Sequence, residues 1–152
     1  MSRRTKRDGR RGAAALEFAL AMFVLTPMMI GICEYAYYFY IGLNAVEAQR
    51  AGLLAATSTT VTASCSAGPV AAAKAQASNA VTAYFRLNSL DTKVTVVSSS
   101  TTCHTTAPSP WWSMNLVIDY PSLFGFTMPW EKRSPTTGYL RYTVGQLAVR
   151  GN

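Results

Sequence analysis

The sequence predicts an α+β protein: a long N-terminal membrane-spanning helix, then a small domain with one helix packed on a three- or four-stranded antiparallel sheet. Three observations predict it. A run without charge, Phe18 to Cys33, follows a basic stretch. A later segment headed by proline repeats apolar residues at helical spacing, and three stretches beyond it are rich in β-branched or alternating residues. Composition agrees, since 49% of the 152 residues are apolar and only 14% charged, where a soluble domain carries about 25% charge. A disordered chain would be poorer in hydrophobes and richer in charge. The length suits one modest domain.

The net charge of +7 would suggest a nucleic-acid partner if it were spread along the chain. It is not. Residues 1–12 hold Arg3, Arg4, Lys6, Arg7, Arg10 and Arg11 against Asp8, so this stretch carries +5. Without it only +2 remains, and no nucleic-acid partner is expected.

The apolar stretch extends past Glu34 through Tyr35 to Leu43. As a helix, residues 18–43 measure roughly 39 Å, against a hydrocarbon core of about 30 Å. The segment therefore spans with tilt and meets membrane lipid. The aromatic cluster Tyr35–Tyr40 suits the far interface, and the positive-inside rule keeps the basic tail in the cytoplasm, with residues from about 45 onward outside. A secretory signal peptide would have a shorter apolar core. Lipidation at Cys33 would need a small residue before it, and Ile32 is not small.

From Asn44 the helix is expected to continue to about Ala56, with Glu47 and Arg50 paired at i,i+3. Thr57–Ser64 reads as loop. Gly68-Pro69 opens a second helix, with proline in the first turn where its missing N–H is harmless. Val70, Ala73, Ala77, Ala80, Val81, Tyr84 and Leu87 form its apolar face. Lys93–Ser98, Asn115–Tyr120 and Tyr139–Val149 are the strand candidates. Trp111-Trp112, flanked by Pro108 and Pro110, and Phe124–Trp130 read as aromatic loops, either a lid on the core or an exposed patch.

Cys65 and Cys103 are the only cysteines outside the membrane in this topology, where a disulfide is allowed. Closing that loop contributes about 3–4 kcal/mol. Cys33 belongs to the membrane helix as a small packing residue. His104 is the only histidine, which leaves no histidine-based metal cluster, and no metal or cofactor is expected. No glycine-rich phosphate loop occurs and nothing singles out a nucleophile, so the chain is not read as an enzyme.

Gly12, followed by Ala13-Ala14-Ala15-Leu16, then Glu17 and Phe18, resembles a type IV prepilin processing site. The wider pattern adds Pro27, Gly31-Ile32-Cys33-Glu34-Tyr35 and Ala48-Gln49-Arg50-Ala51-Gly52. It resembles the TadE-like minor pilins of tight-adherence (Tad/Flp) systems over about 45 residues. Gln49-Arg50 departs from the Ala-Arg often found there. The resemblance implies a structural subunit of a pilus, with other pilin subunits and the assembly machinery as partners. It implies that prepilin peptidase cleaves between Gly12 and Ala13. It divides the chain into a leader (1–12), an assembly helix (13–56) and an exported domain (57–152), starting in the bacterial inner membrane and ending in the pilus or at the cell surface.

A carboxylate near a membrane needs a partner. After cleavage the amine of Ala13 lies at i−4 from Glu17, on the same helix face. The resemblance implies that Glu17 also meets the amine of a neighbouring subunit and sets the stagger; otherwise it snorkels toward the basic tail. Glu34 reads most simply as a solvated interfacial acid, with a helix–helix assembly contact as the alternative. Pro27 removes one helical hydrogen bond and invites a kink. The competing reading of the whole chain is an uncleaved, single-pass anchored protein whose outer domain binds a partner or surface.

Overall fold

The computed structural model describes residues 5–58, 65, 67–105, 111–125, 131–135 and 137–150. Helix α1 (Thr5–Ser58) is followed by helix α2 (Ala67–Leu87) and strands β1 (Thr95–His104), β2 (Trp111–Tyr120), β3 (Lys132–Arg133) and β4 (Leu140–Arg150). The strands form one antiparallel sheet in the order β1-β2-β4-β3, and α2 packs against β1. The fold is α+β, as the sequence predicts. The chain divides into two compact units, Met1–Tyr37 and Tyr38–Asn152.

In the first unit every residue from Gly12 to Met29 is exposed, although the stretch is almost wholly apolar. Pro27 lies inside α1 and the helix continues past it. The proline costs one backbone bond without ending the element.

The second unit is a conventional core. Along α1 the buried positions Ile41, Ala45, Ala48, Leu53 and Ala56 recur at three to five residues and mark one face. Most are small, which lets neighbouring elements approach closely. At Gly52 an added Cβ would lie 2.9 Å from both Met114 Sδ and Val81 Cγ2, and 3.2 Å from the carbonyl oxygen of Ala77. Glycine is needed there for space. Further up, Gly42 lies under the ring of Tyr142, which also meets Tyr38 edge to face at 5.5 Å.

The buried face of α2 is Ala73, Ala77, Val81 and Phe85. The expected face was right at its centre and out of phase at its end. Leu87 is 83% exposed, and the deeply buried residue is Phe85. Two residues are about 200° of helix, so both cannot point inward. The helix ends in a Schellman turn: Leu90 N–H donates to Phe85 O at 2.8 Å, Ser89 N–H donates to Arg86 O at 3.1 Å, and Ser89 has φ 56°.

Strand β2 is central and supplies most of the sheet's inner face. Trp112, Met114, Leu116, Ile118 and Tyr120 alternate and are all buried, each at about 1.5–3 kcal/mol by transfer. The loop reading of Trp111-Trp112 is therefore corrected. Both residues pair in the sheet, with His104 and Cys103 on one side and Arg150 and Val149 on the other. Trp112 belongs to the core. Phe124 is exposed within a bend, and residues 126–130 of the second aromatic stretch lie outside the described residues. So do residues 59–64 of the expected Thr57–Ser64 loop, of which Thr57 and Ser58 still belong to α1.

Candidate functional site

The apolar helix is the first candidate. Gly12, Ala13 and Glu17 all lie in α1 and are exposed. Helical spacing places Glu17 one turn beyond Ala13 on the same face. The Gly12–Ala13 bond lies inside the helix, which starts at Thr5. Glu34 differs from its simplest reading: it is 3% exposed, so it is not a solvated acid. Buried carboxylates are kept by partners, and Glu34 has interactions of its own. Cys33, one residue earlier, is an exposed free thiol.

The second candidate is the part of α1 held in the sheet-bearing unit. Gln49 is 1% exposed, and its side-chain Nε2 donates to Met114 O at 2.5 Å and to Gly145 O at 2.9 Å. The reason is local to the sheet. Met114 pairs with Leu147 and Leu116 with Val144, so Gly145 and Gln146 of β4 stand opposite Asn115 alone. Such a bulge interrupts the ladder of backbone hydrogen bonds, and a side-chain donor from the helix serves the carbonyls there. Sequence reasoning noted Gln49 only as a departure from a pattern. A polar residue at the phase of Ala45, Ala48 and Ala56 was the available signal. Next to it, Arg50 and Glu47 form the expected i,i+3 pair at 2.6 Å, exposed and worth little.

Cys65 and Cys103 form a disulfide, with Cα atoms 5.9 Å apart and 38 residues apart in sequence. It ties the chain ahead of α2 to strand β1.

Two polar clusters were not foreseen. Asp119, 1% exposed on β2, accepts hydrogen bonds from Arg141 Nε at 2.9 Å, Arg141 Nη2 at 3.1 Å and Thr137 Oγ1 at 3.3 Å. Arg141 also donates to Ser134 Oγ at 3.1 Å. The Arg141 hydrogen bonds outweigh the burial that opposes them. With help from Ser134 and Thr137, they hold the Asp119 carboxyl below its usual 3.8. The same contact raises Arg141. In the other cluster, His104 shares a 2.8 Å hydrogen bond with Ser113 Oγ, and the rings of His104 and Trp111 stack at 3.7 Å. Ser113 is buried, so its hydroxyl is a cross-strand contact and not an accessible nucleophile. Among the described residues no group of three or more histidine, cysteine or acidic side chains is placed to hold a metal.

Helix α1 is long and apolar enough to cross a membrane, and its part from Tyr38 onward belongs to the disulfide-tied α+β unit. The model of the TadE-like protein family matches residues 12–54, and over that segment the chain is similar to TadE-like proteins. The match takes in Gly12, Glu17, Glu34, Gln49 and Gly52. No curated protein and no solved structure matches the chain.

Proposed function

We propose that the chain is a minor pilin, or pilin-like subunit, of a Tad (Flp) pilus. Its basic leader sets the orientation in the inner membrane, and prepilin peptidase removes residues 1–12 after Gly12. The helix from Ala13 to about Ala56 then serves assembly, and the domain beyond it faces outward, in the pilus or at the cell surface. The observation that carries this reading is the bare apolar helix from Gly12 to Met29 with a single acid, Glu17, inside the segment that matches the TadE-like family. A chain built to stay in lipid gains nothing from a carboxylate there, whereas a subunit that must find its neighbour's N-terminal amine does. Glu34 is the second assembly position, buried on the same helix. The peptide-cleaving chemistry belongs to the peptidase, and this chain contributes structure.

Glu17→Ala tests the reading. The variant should accumulate in the membrane fraction, correctly processed, and be depleted from sheared filaments. Incorporation equal to that of the natural protein would overturn the assembly role. A second reading is favoured by one observation, the helix that runs unbroken through the Gly12–Ala13 bond. In it the leader is retained and the head is an anchored binding domain.

A further inference from the structure

At one end of the sheet the chain leaving β2 and the turn from β3 into β4 enclose a cleft of about 230 Å³. This is below the roughly 300–1,000 Å³ of sites for drug-sized ligands. It accommodates one small ring, not a peptide or an oligosaccharide. Its lining includes the buried Leu140 and Tyr139, which is 44% exposed.

The wall is held in place by the polar network below it. Ser134 N–H donates to Tyr139 O at 2.7 Å, and Gly138 N–H donates to Ser134 O at 3.1 Å. Ser134 and Thr137 are in turn bonded to Arg141 and Asp119. The turn that presents Tyr139 is thus fixed to a buried ion pair before any ligand arrives, which lowers the ordering cost of binding. Gly138 and Gly125 both have positive φ, 69° and 79°, and neither has an atom within 4 Å of where a Cβ would be. They bring bare backbone to the rim.

The chemistry of the lining is specific. Arg133 is its one charged residue. The acids nearby are engaged, Asp119 with Arg141 and Glu131 with the hydroxyl of Tyr120. Among the described residues Arg133 has no carboxylate partner, so the cleft carries an uncompensated guanidinium suited to a planar carboxylate. The lining also includes the hydroxyl-bearing Ser122 and two residues with flat ring surfaces, Tyr139 and Pro121.

We propose that this cleft binds one carboxylate-bearing sugar ring, a hexuronate residue, with Arg133 on the carboxylate, Tyr139 against a ring face and Ser122 among the ring hydroxyls. The proposal does not depend on pilus assembly, because binding is read on the isolated protein. The test is saturation-transfer NMR on the full chain in detergent micelles, with D-galacturonate, D-glucuronate, D-galactose and N-acetylalanine as probes. A hexuronate should bind at least tenfold more tightly than galactose or N-acetylalanine. Arg133→Gln should weaken it at least tenfold, and Tyr139→Ala should abolish transfer to the ring protons. Arg133 is exposed, so its variant should keep the natural circular dichroism spectrum. Equal binding of galactose would overturn the role of the carboxylate, and equal binding of N-acetylalanine would overturn the sugar. No hexuronate binding, or an Arg133→Gln variant that binds normally, would overturn the site.

Discussion

Replacing Gln49 by methionine isolates what its amide does. Methionine keeps the volume and the helix propensity but removes the donor. The carbonyls of Met114 and Gly145, now served at 2.5 and 2.9 Å, are left without it beside the bulge. Each buried acceptor that loses its partner costs about 1–3 kcal/mol, so Gln49→Met should destabilise the head by about 2–6 kcal/mol. Gln49→Ala adds a cavity and should cost about 1–2 kcal/mol more. Gln49→Glu is the sharper variant. An ionised carboxylate would face two carbonyl oxygens, so the fold must protonate it, which raises its folded pKa above the unfolded value. That variant should be weakest at neutral pH and recover as the pH falls toward the unfolded glutamate value near 4.3. The assay is urea unfolding of the full chain in detergent micelles, followed by tryptophan fluorescence, since Trp112 is in the core. A Gln49→Met midpoint within about 0.5 kcal/mol of the natural protein would refute the reasoning.

Cys65→Ser should lower stability by about 3–4 kcal/mol, and dithiothreitol should lower the natural protein to the same level; equal unfolding midpoints with and without reductant would contradict this. Asp119 has a folded pKa below its unfolded value, so its stabilisation is complete above about pH 4 and is lost as the pH falls through the folded pKa. Asp119→Asn should therefore be less stable at neutral pH and lose part of the acid-induced decline, measured as the melting temperature between pH 2 and 6. Gly52→Ala gains about 1 kcal/mol of helix propensity but forces atoms at 2.9 Å to move, for a net loss of about 1–2 kcal/mol in the same urea assay.

What was legible in the sequence were the features that repeat. Helix α1, the start of α2 at Gly68-Pro69 and the alternating core of β2 follow from spacing alone, and the paired cysteines from topology and redox logic. What escaped depends on distant partners. Trp111-Trp112 looks like loop because prolines precede it, yet pairing with β1 and β4 makes it strand. The phase of α2 was lost at Phe85 and Leu87 because aromatic and aliphatic residues crowd its last turn. Strand β3 is two residues long and has no period to read. Gln49 gains its role only from a bulge about a hundred residues away, and the cleft beside Arg133 is made of turns whose shape no periodicity encodes. Glu34 is acidic and flanked by exposed residues, and nothing local distinguishes a buried acid there from a solvated one.

The claim that most needs testing is that the working protein begins at Ala13. Intact-mass and N-terminal peptide mass spectrometry, on chain recovered from cells with an active prepilin peptidase, reads it directly. A mature chain starting at Ala13, with the leader restored by Gly12→Ile, is the predicted result. A natural protein that retains residues 1–12 joined to Ala13 would contradict the account and favour the anchored binding protein.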